Sequence, residues 1–352
     1  MAMKMAIIGM GGMAAWHFDN IKSQIKEIEI VAGYDIESET CARRAKEWGI
    51  KTYKSPEELY ADKEIDLVLI ATPNDVHKDY SIKCMEAGKN VVCEKPVTMN
   101  SAELEEVIAV RDKTGKFFSV HQNRRWDPDF ITIKEILSTK LLGKPHTIKS
   151  CVHGSKRLWG WRAFLPNGGG LLLDWGVHLL DQALDLINEP VVSAYGHLHI
   201  LEGSEVDDVF TIMLRFEGGC TYIVDISTNS YVIEPRWRVF SPDGTAIIEN
   251  WEMDGKIVKQ ADPDESDWTE FVMYTHAGPT RTMLPRPKET TEEVALPKVG
   301  ERSWIDYYKN VVDVLNGKAE QIVTAEQTLR VMKVIEAIFE SNRTGAAVTT
   351  KI

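Results

Sequence analysis

The 352-residue sequence predicts an α/β fold in two parts. The N-terminal part is a doubly wound parallel sheet, and the C-terminal part is α+β, built on an open-faced, mostly antiparallel sheet. Three observations predict this. A glycine-rich turn joins the first strand directly to the first helix. Short apolar runs then alternate with helical segments as far as residue 124, which is the pattern of a parallel sheet covered on both faces. From Val191 to about Val258 strands follow one another with only short turns between them, as in a chain of hairpins. The division falls at 1–124 and 125–352, with the last helix, about 325–342, expected to pack back on the N-terminal part.

Taken in order, Met5 to Ile8 is a strand that runs into Gly9-Met10-Gly11-Gly12-Met13-Ala14, and a helix follows to about Ile25. Gly-x-Gly-x-x-Ala between a strand and a helix is a dinucleotide-binding arrangement. Gly9 permits the tight turn, Gly11 lets backbone approach a pyrophosphate without a Cβ in the way, and the free amides opening the helix suit phosphate. The second strand, Ile28 to Tyr34, ends in Asp35. An acidic side chain roughly twenty residues past the glycines accepts from the adenine-ribose hydroxyls and repels a 2′-phosphate. NAD is therefore expected over NADP, although Arg43-Arg44 in the next helix is a competing feature.

Ser55-Pro56 caps and opens a further helix. Ile65 to Ala71 is a buried strand ending in Thr72-Pro73-Asn74, and helices at about Val76 to Ala87 and Ser101 to Lys113 stop at Gly88 and Gly115. Between them Val91-Val92-Cys93 ends abruptly at Glu94-Lys95-Pro96. Proline cannot continue a central strand, so a carboxylate and a cation sit at the carboxyl end of one, where ligands bind in open α/β sheets. Beyond Phe117 to His121 the rhythm changes. A helix from Phe130 to Ser138 leads to a strand at Thr147 to His153, and Gly168-Gly169-Gly170 opens a helix running to about Ile187. Strands are read at Tyr195 to Leu201, Asp208 to Phe216, Cys220 to Thr228, Trp237 to Ser241 and Thr245 to Asn250, followed by an unplaced loop from Ala261 to Gly300 and helices at Ser303 to Leu315 and Ala325 to Ser341. Too few helices follow to cover both faces of the second sheet, so either the loop from Ala261 to Gly300 folds over it or another subunit does, and a homo-oligomer through that open sheet is the expectation.

Composition excludes several classes. Hydrophobic residues make up 43% and charged residues 27%, as in a globular protein rather than a disordered one. The formal net charge of −12 argues against nucleic-acid or anionic-membrane partners. No run approaches the ~18 apolar residues of a membrane span. The five cysteines include no Cys-x-x-Cys pair, which favours buried thiols in a reducing, cytoplasmic setting over disulfides or a metal site.

Asp174 and His178 are spaced i, i+4 and share a helix face, with Asp181, Gln182 and Asp185 continuing the polar stripe. A solvated face with Asp174 as cap is one reading. The bare backbone of the preceding glycines favours another, a close approach by ligand or cofactor. If the stripe faces Lys95, a lysine, a histidine and a carboxylate meet in one cleft, a set suited to removing a hydroxyl proton as carbon gives up hydride.

Together, Gly9-x-Gly-x-x-Ala-x-x-His17, Thr72-Pro-Asn-x-x-His77, Glu94-Lys95-Pro96, Asn123-Arg-Arg-x-Asp-Pro128 and Gly-Gly-Gly…Asp174-x-x-x-His178 resemble the glucose–fructose oxidoreductase/inositol dehydrogenase (Gfo/Idh/MocA) family from end to end. The resemblance implies a Rossmann domain, NAD(P), a sugar or polyol substrate and oligomers through the open sheet. It implies that Lys95 contacts the reacting oxygen and that His178 is the general base, oriented by Asp174. Gly9, Met10, Gly11, Gly12, Met13, Asp35, Thr72, Pro73, Asn74, His77, Glu94, Lys95 and Asn123 would line the cofactor. Lys95, Arg124, His153, Trp161, Arg162, Asp174 and His178 would line the substrate, with no metal. A cis Lys95–Pro96 bond is implied as well. The segment Lys156 to Arg162 departs from any one subgroup. Gln122 to Trp126 is similar to scyllo-inositol dehydrogenases. Trp159 and Trp161 would suit an aglycone, and the whole chain is similar to bacterial glycoside 3-oxidoreductases, so oxidation at C3 of a glucoside is expected. Scyllo- or myo-inositol oxidation is the alternative, and a non-catalytic NAD-binding regulatory subunit is an alternative of another class.

Overall fold

The structure, a computed structural model, describes residues 2–201, 203–261, 272–280 and 288–352. Six parallel strands form the first sheet: β1 (Met3–Ile8), β2 (Ile28–Tyr34), β3 (Lys51–Thr52), β4 (Leu67–Ile70), β5 (Asn90–Cys93) and β6 (Phe118–Val120). Their order is β3-β2-β1-β4-β5-β6. The sequence reverses direction at β1/β4, so a crevice opens above the carboxyl ends of those two strands. Every residue of β4 is buried, which is why Leu67-Val-Leu-Ile70 is apolar without alternation.

Alternate residues of these strands feed two cores. Met5, Ile7, Leu67, Leu69 and Val92 pack with Ala14, Phe18 and Ile21 of α1 (Gly12–Gln24) and with Trp48 of α2 (Ser38–Trp48). Ala6, Ile8, Val68, Ile70, Val91 and Cys93 belong to the other core, with Leu59 of α3 (Pro56–Ala61), Cys84 and Met85 of α4 (His77–Glu86), and Leu104 and Val107 of α5 (Ser101–Thr114). Side-chain caps set the helix starts: Ser55 accepts from the amide of Glu58, and Asn100 from that of Glu103. Gly115 ends α5 in the left-handed region at φ 65°.

Past α6 (Pro128–Ser138) lie β7 (Thr147–His153), α7 (Val177–Leu186), β8 (Val191–His199), β9 (Val209–Phe216), β10 (Thr221–Ser227), β11 (Trp237–Ser241), β12 (Gly244–Ile248) and β13 (Gly255–Gln260). A separate hairpin of β14 (Met273–Thr275) and β15 (Gly278–Thr280) comes next, then β16 (Thr291–Val294), α8 (Asp306–Leu315), α9 (Ala325–Thr344) and β17 (Val348–Thr349). The nine-stranded sheet has the order β16-β13-β12-β11-β7-β10-β9-β8-β17. Within it only β7 and β10 pair in parallel. Phe210, Ile212 and Leu214 turn to the core, whereas Thr211, Met213 and Arg215 between them are exposed. That face is open along β8 and β9, where Tyr195 and His197 are exposed too.

The reading of the central strands holds to within a few residues, but the edges were missed. β13, β16 and β17 had not been placed, and β16 comes from within the 261–300 loop. Much of the rest of that loop, with Trp268, lies outside the described residues. β8 starts four residues earlier than expected, at Val191, because the chain turns into the sheet directly after Glu189-Pro190.

Both C-terminal helices return to the parallel sheet. Tyr307, Tyr308 and Val311 of α8 join the core containing α1, while Val331, Val334, Ile335 and Ile338 of α9 join the other. Glu336 of α9 accepts from the amide of Ser101 (2.6 Å) and from its hydroxyl (2.8 Å). Since that second core also holds Phe210, Ile212, Leu214 and Trp237, one apolar interior runs through both parts.

Candidate active site

The cofactor end begins with geometry that only glycine tolerates. Gly9 has φ +86°, and a Cβ there would lie 2.6 Å from the carbonyl oxygen of Ala71. Gly11 and Gly12 face open space, with nothing within 4 Å of where a Cβ would stand. Gly11 caps α1 without a side-chain hydrogen bond, so the amides opening the helix stay available for phosphate. The Asp35 carboxylate accepts from the amides of Met10 (2.6 Å) and Glu37 (2.8 Å), which fixes it at the end of β2 beside the glycine turn. An open glycine backbone, an uncapped helix start and this carboxylate together fit a dinucleotide. Met13 is 40% exposed here. Met10 is buried against Gly33, and only its backbone faces the turn.

Thr72 and Pro73 follow β4. Asn74 is buried and donates to the carbonyl of Gly168 (3.2 Å), tying this loop to the glycine run. His77 corrects the expectation of a cofactor contact. It is fully buried, and its ring nitrogens lie 2.8 and 2.9 Å from the carbonyls of Pro96 and Thr72. It pins two loops together and has no nitrogen left for a nucleotide.

Glu94 and Lys95 separate at the end of β5. Glu94 is buried, and one of its oxygens lies 2.8 Å from His17 Nε2 and 2.8 Å from His121 Nδ1. Its other oxygen accepts from the Lys95 amide at 3.0 Å. The Tyr308 hydroxyl lies 2.8 Å from His17 Nδ1 and completes the chain. Burial pushes the Glu94 carboxyl up, but His121 and His17 overcome it and hold the group well below the ordinary value. Burial also brings His121 down to about 4. The network is thus a buried carboxylate whose two oxygens are engaged inside the protein, by the two imidazoles and by the Lys95 amide. That too corrects the sequence reading. His17, Glu94 and His121 stand close enough to hold a metal. Their hydrogen bonds to one another and to Tyr308 account for the cluster without one.

Lys95 points the other way. Across the cis Lys95–Pro96 peptide, its ammonium donates to the carbonyl and to Oδ1 of Asp174, both at 2.8 Å. Arg162 Nε lies 3.0 Å from the same carboxylate oxygen. Burial opposes ionisation of Asp174, yet the Lys95 and Arg162 charges keep its carboxyl below the usual value. Asp174 lies in a π-helical turn, Leu172–Gly176, that runs into α7, a distortion frequent at functional sites. His178 is one turn on and buried. Its Nδ1 lies 3.2 Å from Oε1 of Gln122. The expected partnership therefore differs: Asp174 holds Lys95, and Gln122 holds His178. Burial first, then the charges of Lys95 and Arg124, push the His178 pKa well below 6.5, so the imidazole is neutral at neutral pH.

Asp181 and Gln182 of the polar stripe are buried rather than solvated, and Asp185 is half-buried. Asp181 takes a bidentate bond from Arg125 (2.7 and 2.6 Å), and Gln182 donates to the carbonyl of Arg124 at 2.8 Å. These bonds fasten α7 to the turn Asn123–Trp126 and so place Arg124 beside His178. The glycine run also has a different cause from the one expected. A Cβ on Gly169 would meet the carbonyls of Arg162 and Phe164 at 2.5 and 2.7 Å, and one on Gly170 would stand 2.3 Å from the Asp207 carboxylate. The chain's own backbone and Asp207 are enough to require glycine at 169 and 170.

His153 is a further correction. It pairs with Asp225 at 3.1 Å, and strand alternation puts both with Lys149 on the face of β7 and β10 turned away from α7. Trp161 lies in the turn Gly160–Ala163 and its side chain is outside the described residues. Trp159 is 79% exposed. Sequence reasoning missed Gln122, His121 and Tyr308 as site-supporting groups. Only the position of His121-Gln122 at the carboxyl end of a parallel strand, β6, could have signalled the first two.

A crevice at a sheet switch point, an open glycine turn and a buried lysine–carboxylate–imidazole group define a dinucleotide-dependent oxidoreductase. Residues 3–122 match the family model described as oxidoreductase family, NAD-binding Rossmann fold, and residues 130–247 match the GFO/IDH/MocA C-terminal domain. The chain belongs to the GFO/IDH/MocA oxidoreductase family and is an NAD(P)-dependent oxidoreductase. It is 30% identical over 292 residues to an NADP-dependent scyllo-inositol 2-dehydrogenase of Bacillus subtilis, covering 82% of this chain and 79% of that protein. It is 29% identical over 253 residues to the NAD-dependent scyllo-inositol 2-dehydrogenase of the same organism, covering 69% and 72%. A solved structure of an NAD-binding protein from Listeria innocua superposes with a TM-score of 0.88 at 40% identity, covering 99% of this chain and 97% of that one. Among the described residues no helix is long and apolar enough to cross a membrane.

Proposed function

We propose that the chain oxidises a secondary ring hydroxyl of a sugar or glycoside, at C3 of a glucosyl unit to give the 3-keto form, with NAD as acceptor. The observation that carries this is the pairing of a tethered ammonium with a neutral, oriented imidazole in one cleft. Gln122 Oε1 accepts from His178 Nδ1–H, which leaves the lone pair at Nε2. His178 Nε2 then takes the hydroxyl proton as the alkoxide develops. Two of the three Lys95 N–H donors are fixed on Asp174, and the third stabilises that oxygen. The bound nicotinamide would supply the hydride acceptor. Gly9, Gly11, Gly12, Met13, Asp35, Thr72, Pro73, Asn74 and Asn123 would hold the dinucleotide, and Arg124 and Arg162 would flank the substrate.

Asp35 supports NAD over NADP, and Arg44 supports it further because it is already engaged by Glu47 (2.8 Å) and Trp48. We place the domain division at 124/125 and assign the open face of β8 and β9 to a partner subunit, which light scattering would show as a dimer or larger species. The names of the inositol-dehydrogenase relatives favour a second reading, oxidation of scyllo- or myo-inositol. A screen of glucosides, inositols and free sugars for NADH formation tests both. Glucosides should give the higher kcat/KM, and a clear preference for an inositol would establish the second reading.

A further inference from the structure

Beside His178 an aromatic and cationic wall leads out of the cleft, and the oxidation chemistry uses none of its outer part. The Trp175 ring stands 6.2 Å from the His178 ring, nearly edge-on. The Arg124 guanidinium lies 4.0 Å from the Trp175 ring and 5.7 Å from that of Trp251. The two indoles are 6.1 Å apart. Trp251 sits in the β12–β13 turn and is 48% exposed, although its ring also covers the buried Arg236 guanidinium at 4.6 Å. Arg124 is held from below by Asp127 at 2.8 Å, so both its position and its plane are set before any ligand arrives.

We infer that Trp251 and Arg124 form a second subsite, next to the one that holds the reacting ring, for an aromatic or sugar ring attached to it. Two ring-to-ring contacts of 6.2 and 6.1 Å, both made by the Trp175 ring, carry this wall from His178 to Trp251, so an outer ring attached to one held at His178 would run along Trp175 toward Trp251. An indole face stacks on the apolar face of a ring, and the remaining guanidinium N–H groups donate to hydroxyls or to the glycosidic oxygen. A single inositol ring held at His178 does not extend to Trp251, whereas a glycoside with a cyclic aglycone does. This inference rests on the glycoside reading above and narrows it to glycosides whose second unit is a ring.

The test compares kcat/KM for 4-nitrophenyl β-glucoside and methyl β-glucoside in the wild type, Trp251→Ala and Trp251→Phe. The wild type should prefer the aryl glucoside. Trp251→Ala should shrink that preference roughly tenfold, the size of one aromatic contact, and Trp251→Phe should retain most of it. An aryl-to-methyl ratio unchanged in Trp251→Ala would overturn the subsite. If the wild type oxidises inositols and neither glucoside, the reading of the oxidised ring fails, and the subsite is then read by inhibition. The aryl glucoside should compete with inositol, with a Ki raised about tenfold in Trp251→Ala, and an equal Ki in both proteins would overturn it.

Discussion

Glu94 and Lys95 are adjacent in the chain, yet they enter opposite surroundings. On the Glu94 side the carboxylate is enclosed: it is met by His17, His121 and the Lys95 amide, and His17 by Tyr308, while His121 Nε2 is buried without a partner among the described residues. On the Lys95 side the ammonium is tethered to Asp174 with one donor to spare, and His178 is tethered to Gln122 with one nitrogen to spare. The same β5 terminus thus supplies a rigid anchor and a reactive edge. Preorganisation of this kind requires both, because a cation aimed at a developing charge is useful only if its backbone does not move.

Substitutions on the two sides should separate accordingly. Lys95→Ala should lower turnover on the order of 10²–10³-fold with NAD affinity nearly unchanged, as read by steady-state kinetics and cofactor titration. Asp174→Asn, which keeps the shape and loses the charge, should cost less. On the closed side Glu94→Gln should act on stability, by roughly 2 kcal/mol for the loss of charge-assisted hydrogen bonds, and should lower turnover by less than Lys95→Ala. A Glu94→Gln protein with wild-type melting but crippled turnover would erase the distinction between the sides.

The closed side also sets a pH dependence. His121 is neutral in the fold, with its pKa brought down to about 4, whereas the unfolded imidazole takes a proton near ~6.5. The unfolded chain therefore binds more protons in between. The stability that His121 contributes is fully present above ~6.5 and is lost as pH falls toward about 4. Denaturant titrations at several pH values should show this decline. A flat profile between pH ~6.5 and ~4 would mean the imidazole is not buried neutral.

On the open side Gln122→Glu should place a carboxylate against His178 Nδ1–H and raise its pKa. The acidic limb of kcat/KM should then move to higher pH, while Gln122→Ala should lose roughly tenfold in rate without that displacement. The smallest effect concerns the distant end of the cofactor: Asp35→Ser should narrow the NAD-to-NADP affinity ratio, measured by titration of each nucleotide.

How far the sequence revealed this depends on the range of the interaction. Gly9 was legible because a positive φ after a buried strand leaves one residue type, and β4 and β5 because burial on both faces removes alternation. Asp174 and His178 were correctly placed one turn apart, since helical spacing is local. Their partners were not legible: Lys95 is 79 positions from Asp174, and Gln122 is 56 from His178. Gly169 and Gly170 were legible as a close approach, but the approaching atoms belong to Arg162, Phe164 and Asp207. The edge strands β16 and β17 escaped because each is held by a neighbour's ladder rather than by an alternation of its own.

The central claim is that His178 is the base and that its neutral, Gln122-held imidazole is what makes it one. Single-turnover reduction of bound NAD by a competent sugar or polyol, in His178→Ala and wild type at a pH where the wild type is fully active, tests it without interference from product release. The account predicts a rate lower by about 10²–10⁴-fold with the NAD dissociation constant unchanged. A near-normal single-turnover rate in His178→Ala would contradict it and pass the base role to Lys95.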